Sequence, residues 1–239
     1  MKYKRGPWKI VRRKRIVLDV TVPSLDSSRP PVDSRVAESV RQTCILDPSE
    51  ETLMAPEILV VNASPRPEGN CAHLATVCGG VFDQQGKGWE RIDLRRLKIG
   101  ACRGCGLCRQ GKAKYCVLQD DMAPLYEKIA QCQALLLLSP IYWFTYSGQL
   151  KVFIDRLYGL WNWDRNFLAG KRAGAVLVYA DADPYESGAV NAISAFEHMF
   201  RFVKADCRGF AYGTAGGPGS AANNPDLLER TRKLALRLA

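Results

Sequence analysis

From Ile58 onward, short apolar runs alternate with longer segments of helical period, and this alternation restricts the possible folds more than any other feature. Ile58-Leu59-Val60-Val61 is uniformly apolar and only four residues long, the pattern of a parallel strand covered on both faces. Residues 71–85 read as a helix and 89–94 as a second strand. A helix over 122–132 can be capped by Asp120. Residues 134–138, an alanine followed by four leucines, form the strongest strand. A helix over 147–160, a strand over 173–180, a helix over 186–203, a strand over 207–212 and a helix over 226–238 complete the order. This order predicts an α/β fold: a doubly wound, five-stranded parallel sheet with helices on both faces. Such sheets bind ligands beyond the carboxyl ends of their strands, so the loops after the first, third and fourth strands are the candidate sites. Neither the dinucleotide G-x-G-x-x-G turn nor the G-x-x-x-x-G-K-[ST] phosphate loop is present.

Residues 1–55 do not follow the alternation. The first fifteen carry eight Lys or Arg and no acid, and a Pro/Ser/Asp-rich stretch follows over 23–34. Arg12-Arg13 resembles a secretion signal, but the apolar stretch behind it is short and interrupted by Asp19. We expect a poorly ordered N-terminal extension, or a natural start at Met54, and one domain over 56–239. Outside those first fifteen residues the chain is only mildly basic, so the net charge of +10 assigns no nucleic-acid partner to the domain. No apolar run is long enough for a transmembrane helix, and no membrane partner is expected. The cysteine usage predicts a reduced, cytoplasmic setting.

The loop after the first strand, Ser64-Pro65-Arg66-Pro67-Glu68-Gly69-Asn70-Cys71, combines a hydroxyl, a guanidinium and an amide with a helix N-terminus. That is anion-binding chemistry, although Asn70 as a helix cap and Arg66 as a solvated residue would explain it equally well. The second unusual segment is the loop over 100–119, where Cys102, Cys105, Cys108 and Cys116 follow the spacing C-x2-C-x2-C-x7-C. Three readings are open. The thiolates hold an iron–sulfur cluster, with Gly104 and Gly106 letting the backbone fold round it. They hold zinc, although structural zinc sites use separated C-x2-C knuckles. Or they are thiols without metal. Cys44, Cys71, Cys78, Cys132 and Cys207 match no such pattern and read as small apolar residues. His73 and His198 lie in separate helices and suggest no acid–base pair.

Three segments carry a resemblance: Ser64-x-Arg66-x-x-Gly69-Asn70, Ser139-Pro140-Ile141-Tyr142-Trp143-Phe144, and Ser147-Gly148-Gln149-Leu150-Lys151-x-Phe153-Ile154-Asp155-Arg156. Together they resemble the flavodoxin-like NAD(P)H-dependent FMN reductase superfamily. With the four cysteines, the chain is most similar to the iron–sulfur flavoprotein branch. The resemblance spans roughly residues 57–212 and implies a flavodoxin-like sheet of order 2-1-3-4-5. It implies that Ser64, Arg66 and Asn70 grip the FMN phosphate; Cys71 stands where relatives usually have Ser or Thr. It implies that Pro140, Ile141, Tyr142, Trp143, Phe144 and Ser147 follow the flavin. It further implies a [4Fe–4S] cluster on Cys102, Cys105, Cys108 and Cys116, NAD(P)H as electron donor, and a homodimer or higher oligomer built round the flavin sites. No side chain is expected to be catalytic, because the flavin carries the chemistry. The resulting expectation is a redox flavoprotein that relays electrons between FMN and a cluster and exchanges them with a small-molecule or protein partner. The alternatives are a cluster-free FMN or quinone reductase and a non-enzymatic electron carrier. Lys151, Asp155 and Arg156 are expected on outward faces of their helix, with Lys151 and Asp155 paired.

Overall fold

A computed structural model describes residues 56–239. The expectations for residues 1–55 lie outside the described residues. Five parallel strands, β1 (Ile58–Asn62), β2 (Trp89–Asp93), β3 (Ala134–Tyr142), β5 (Arg172–Tyr179) and β6 (Asp206–Thr214), stand in the order β2-β1-β3-β5-β6. A two-residue strand, β4 (Thr145–Tyr146), pairs antiparallel with the end of β3. Setting that short strand aside, the order is the expected 2-1-3-4-5. Helices α1 (Asn70–Gln84), α2 (Ala123–Gln131), α3 (Gly148–Trp163), α4 (Ala189–Phe202) and α5 (Pro225–Leu238) connect and flank the strands.

The core follows the two-residue period of a strand. Leu59, Val61, Leu135, Leu137, Ala175 and Leu177 point to one face, into a layer formed with α2, α3 and α4. Ile58, Val60, Leu136, Leu138, Val176 and Val178 point to the other, against α1 and α5. Because both faces are covered, the central strands need apolar residues at every position, which explains the unbroken Leu135–Leu138 run.

Three elements differ from the expectation. β3 continues past Leu138 through Ser139-Pro140-Ile141-Tyr142, a stretch expected to be loop. Pro140 lacks an N–H but still aligns with Val178 of β5, and its neighbours complete the ladder. The chain then reverses in a two-residue turn, Trp143-Phe144, and returns as β4. Residues 186–188 lie outside α4, because Gly188 adopts φ 75° immediately before it. Asp120 does not cap α2; it accepts a hydrogen bond from the Met122 N–H, one turn ahead of the helix, at 3.1 Å.

Leu136 has no exposed surface and sits in the most enclosed strand. Leu136→Ala is expected to cost about 2–5 kcal/mol, read as a lower urea midpoint at unchanged slope.

Candidate functional site

The loop after β1 folds back on itself through its own side chains. Asn62 Oδ1 accepts from the Ser64 N–H at 3.2 Å, and Ser64 Oγ accepts from the Arg66 N–H at 3.2 Å. Asn62 is itself fixed by donating to Asp93 Oδ1 at 2.8 Å. A Cβ on Gly69 would lie 3.0 Å from Arg66 Cβ, so the loop closes this tightly only over glycine. Helix α1 then begins at Asn70, with no side-chain cap on Gly69 and no acid in its first turn. Its first N–H groups and the positive end of its dipole are left for an anion.

These groups line one end of a trough at the carboxyl edge of the sheet. A cavity of about 190 Å³ is bordered by Ser64, Arg66, Asn70, Cys71, Pro140 and Gly216, among others. It adjoins a cavity of about 490 Å³ bordered by Trp143, Phe144, Asp181 and Ser187; Ile141, Tyr142, Tyr179 and Ala180 line both. The first end is polar and cationic; the second is walled by aromatic side chains. Enclosures of this size hold cofactor-sized ligands.

The aromatic wall rests on a strained turn. Trp143 and Phe144 have φ of 47° and 66°, the type I′ geometry of tight hairpins, which glycine and asparagine normally occupy. Such residues cost on the order of 1–3 kcal/mol each. Two neighbours hold the turn: Asn191 Nδ2 donates to Phe144 O at 3.1 Å, and Gly188 lies where a Cβ would be 2.5 Å from Phe144 Cα. The strain keeps Trp143, 92% exposed, projecting from the rim of the trough.

Of the residues expected at this site, all but Ser147 line the trough. Ser147 has no exposed surface: its hydroxyl donates to Ala63 O at 2.8 Å and accepts from the Leu150 N–H at 3.4 Å, capping α3. Its role is therefore to pin α3 to the end of β1. The Asn70 side chain is also committed within the protein. It donates to Ala215 O at 2.7 Å and Gly217 O at 2.8 Å and accepts from the Ala221 N–H at 3.0 Å. Asn70 thus fixes the segment after β6 as a wall, leaving its backbone N–H for a ligand. The Cys71 thiol is buried, and burial pushes its pKa up to about 12, so it too offers only its backbone. Tyr179, Ala180, Ala215 and Gly216 were not anticipated as lining residues. Tyr179 ends the fourth parallel strand and Ala180 follows it, at a carboxyl end that was a candidate site, and the Gly/Ala run after the fifth was the sequence signal for Ala215 and Gly216.

The four loop cysteines come together. Cys102, Cys105, Cys108 and Cys116 line a single cavity of about 150 Å³, walled on the far side by Asp155, Arg156, Tyr158 and Gly159 of α3. Gly104 and Gly106 take φ of 62° and 72° between them, the left-handed turns that let the loop curl round this space. Burial raises the Cys108 thiol pKa, and the neighbouring Cys116 and Cys102 add to the rise. Among the described residues no three Cys, His, Asp or Glu side chains converge to hold a metal ion. Four thiols round one space are a donor set that both iron–sulfur clusters and zinc use. Cys78 and Cys132 are buried as expected, with pKa values pushed by burial to about 12 and about 11. Cys207 differs, being exposed at the start of β6, and Cys44 lies outside the described residues. His73 and His198 are exposed and line neither site.

Arg156, expected on an outward face, is instead 1% exposed and closes the cysteine loop. Its guanidinium donates to both carboxylate oxygens of Asp120, at 2.6 and 3.0 Å, and to Gly100 O at 2.8 Å. Asp120 Oδ2 in turn accepts from the Gly100 N–H at 2.9 Å. Both ends of the loop are thereby tied to α3 at one side chain. The Lys151–Asp155 pair forms as expected, at 2.5 Å. Partial burial works against ionisation of Asp120, but the Arg156, Gly100 and Met122 donors outweigh it and hold the carboxyl below its usual range.

A cationic pocket at a helix N-terminus, joined to an aromatic-walled trough at the carboxyl edge of a 2-1-3-type sheet, defines a flavodoxin-like, mononucleotide-binding α/β protein. The profile of the NADPH-dependent FMN reductase family matches residues 56–210, and the chain belongs to that family, as a flavin-dependent oxidoreductase. It is 35% identical over 120 residues to an iron–sulfur flavoprotein of Archaeoglobus fulgidus, a match covering 49% of this chain and 51% of that one. It is 30% identical over 190 residues to a putative NAD(P)H-dependent FMN-containing oxidoreductase of Bacillus subtilis, covering 76% and 97%. Among solved structures, the Trp repressor binding protein from Bacillus subtilis superimposes with a TM-score of 0.56 at 27% identity, covering 74% of this chain and 96% of that one.

Removing Arg156 leaves the Asp120 charge without its partner. Arg156→Met is expected to destabilise the fold by about 3–5 kcal/mol, with Asp120→Asn recovering part of the loss in a double-mutant cycle. The pH dependence has a fixed sign. Because the folded carboxyl lies below its unfolded value, its contribution is complete above an ordinary Asp pKa and is lost as pH falls through the folded one. Asp120→Asn should therefore flatten the acid limb of the stability curve and be most destabilising near neutrality.

Proposed function

We propose that the chain is an FMN-dependent NAD(P)H oxidoreductase that passes electrons between FMN in the trough and a [4Fe–4S] cluster on Cys102, Cys105, Cys108 and Cys116. When bound, FMN supplies two-electron acceptance and single-electron release, and a cluster supplies one-electron exchange. The chain supplies placement. Ser64, Arg66 and the first N–H groups of α1, including those of Asn70 and Cys71, hold the phosphate. Pro140, Ile141 and Tyr142 lie along the flavin, and Trp143 and Phe144 exclude water from one edge. A nicotinamide donor needs only an open flavin face here, and no residue is assigned to it. The exposed aromatic rim is consistent with the proposed homodimer or higher oligomer.

The observation that carries the relay is that all four thiols line one cavity. A cluster-free reductase uses the same trough, and steady-state NAD(P)H oxidation by iron-free protein reads it out directly. An electron carrier without a substrate would show none. No described helix is long and apolar enough to cross a membrane.

The two sites share no lining residue, so their losses should separate. Arg66→Ala is expected to weaken FMN binding at least tenfold, about 1.4 kcal/mol, by fluorescence titration, without changing iron uptake. Cys105→Ser should abolish iron and acid-labile sulfide after anaerobic reconstitution while leaving FMN affinity intact. Wild-type protein that takes up neither iron nor sulfide would remove the cluster and leave the cluster-free reductase.

A further inference from the structure

Helix α3 presents more than the Arg156 clasp to the cysteine cavity. Counting along it, Arg156, Gly159 and Asn162 recur every three residues and so share one face. Each meets the cysteine loop differently. Arg156 ties down the loop's two ends, and its Nε is buried without a partner while the residue lines the thiol cavity. Gly159 is the point of closest approach: a Cβ there would lie 2.9 Å from Tyr115 O and 3.4 Å from Cys116 Cβ. Asn162 Nδ2 donates to Tyr158 O at 2.8 Å and also reaches the Cys108 sulfur at 3.9 Å, a hydrogen-bonding distance for sulfur. These three contacts are independent of one another in chemistry, and all converge on the four-thiol site.

We infer that this face of α3 is the second wall of the cysteine site, with Gly159 setting the position of Cys116 and Asn162 donating an N–H to the Cys108 sulfur. Both are positioning residues. A hydrogen bond to a ligating sulfur withdraws charge from it and favours the reduced state of the group it holds. In its effect on reduction, the inference rests on the cluster reading; in its effect on loop placement, it does not.

The test compares full-length, FMN-loaded wild type with Gly159→Ala and Asn162→Ala. Alanine is the better helix former, so Gly159→Ala is not expected to unfold α3, and overpacking falls on the loop. Before any iron is added, trypsin cleavage after Arg109, Lys112 and Lys114, mapped by mass spectrometry, should be about tenfold faster in Gly159→Ala, the change produced by about 1.4 kcal/mol of lost local stability. Its FMN stoichiometry should stay at the wild-type value. After anaerobic reconstitution, Gly159→Ala should hold less iron and sulfide per FMN. Asn162→Ala should hold the wild-type amount but titrate at a more negative potential, and Asn162→Asp, which places an acceptor against the sulfur, at a still more negative one. If wild type takes up no iron yet Gly159→Ala loosens the loop, the cluster reading fails and the α3 wall stands. If Gly159→Ala is cleaved at the wild-type rate, the wall is overturned whether or not a cluster forms. Equal potentials in the Asn162 series would remove Asn162 from it.

Discussion

One buried ion pair ties both ends of the cysteine segment to a single point of α3. Between Arg96 and Ala123 the chain runs without a regular helix or strand, and so many residues close a loop only at an entropic cost. Arg156 meets that cost at a single point by binding Gly100 and Asp120 together. A buried guanidinium is itself expensive, and a pair of this kind seldom adds net stability over an apolar contact. What it contributes is location. Tyr126 reinforces it from α2 by donating to Arg156 O at 3.1 Å, so loop, α2 and α3 meet at one residue. The thiols can then lie round a common space although no secondary structure holds them there.

The trough depends on a different constraint. Its polar end is made almost wholly from backbone geometry: an uncapped helix, a glycine closing a tight loop, and side chains spent on shaping that loop. Its aromatic end depends on two residues held in an unfavourable backbone region by contacts from the start of α4. Strain of this kind survives only where the surroundings over-determine it. Here it holds flat, apolar side chains beside a flat-ring site instead of letting them collapse into the core.

Much of this was legible in the sequence because it is periodic or local. The five parallel strands follow from apolar runs that need burial on both faces, and the four cysteines from their spacing. The positions misjudged are those set by tertiary partners. Arg156 looked outward because it is charged, although its three-residue spacing from Leu150 and Phe153 puts it on their face; nothing in the sequence places Asp120 against it. Ser147 looked like a ligand residue because it stands in a motif, whereas the carbonyl it binds, on Ala63, lies 84 residues away. The hairpin at Trp143 was hidden for the opposite reason. Its turn residues are aromatic, where turn chemistry leads one to expect glycine or asparagine. The Asn70 amide was read as ligand chemistry because its true partners, at Ala215, Gly217 and Ala221, come from the far end of the chain.

Helix α3 is the element that relates the two sites. Its first residue follows Ser147, which is fixed to the end of β1 beside the trough, and its later turns carry the wall of the thiol cavity. From Ser147 to Arg156 the helix rises about 14 Å. The separation between a group at the sheet edge and one among the thiols is thus fixed by an unbroken helix and not by a mobile loop. A substitution that only trims a lining side chain leaves that distance alone. One that bends α3 changes it while sparing every lining residue, so α3 is where the sequence has least freedom to drift while keeping both sites.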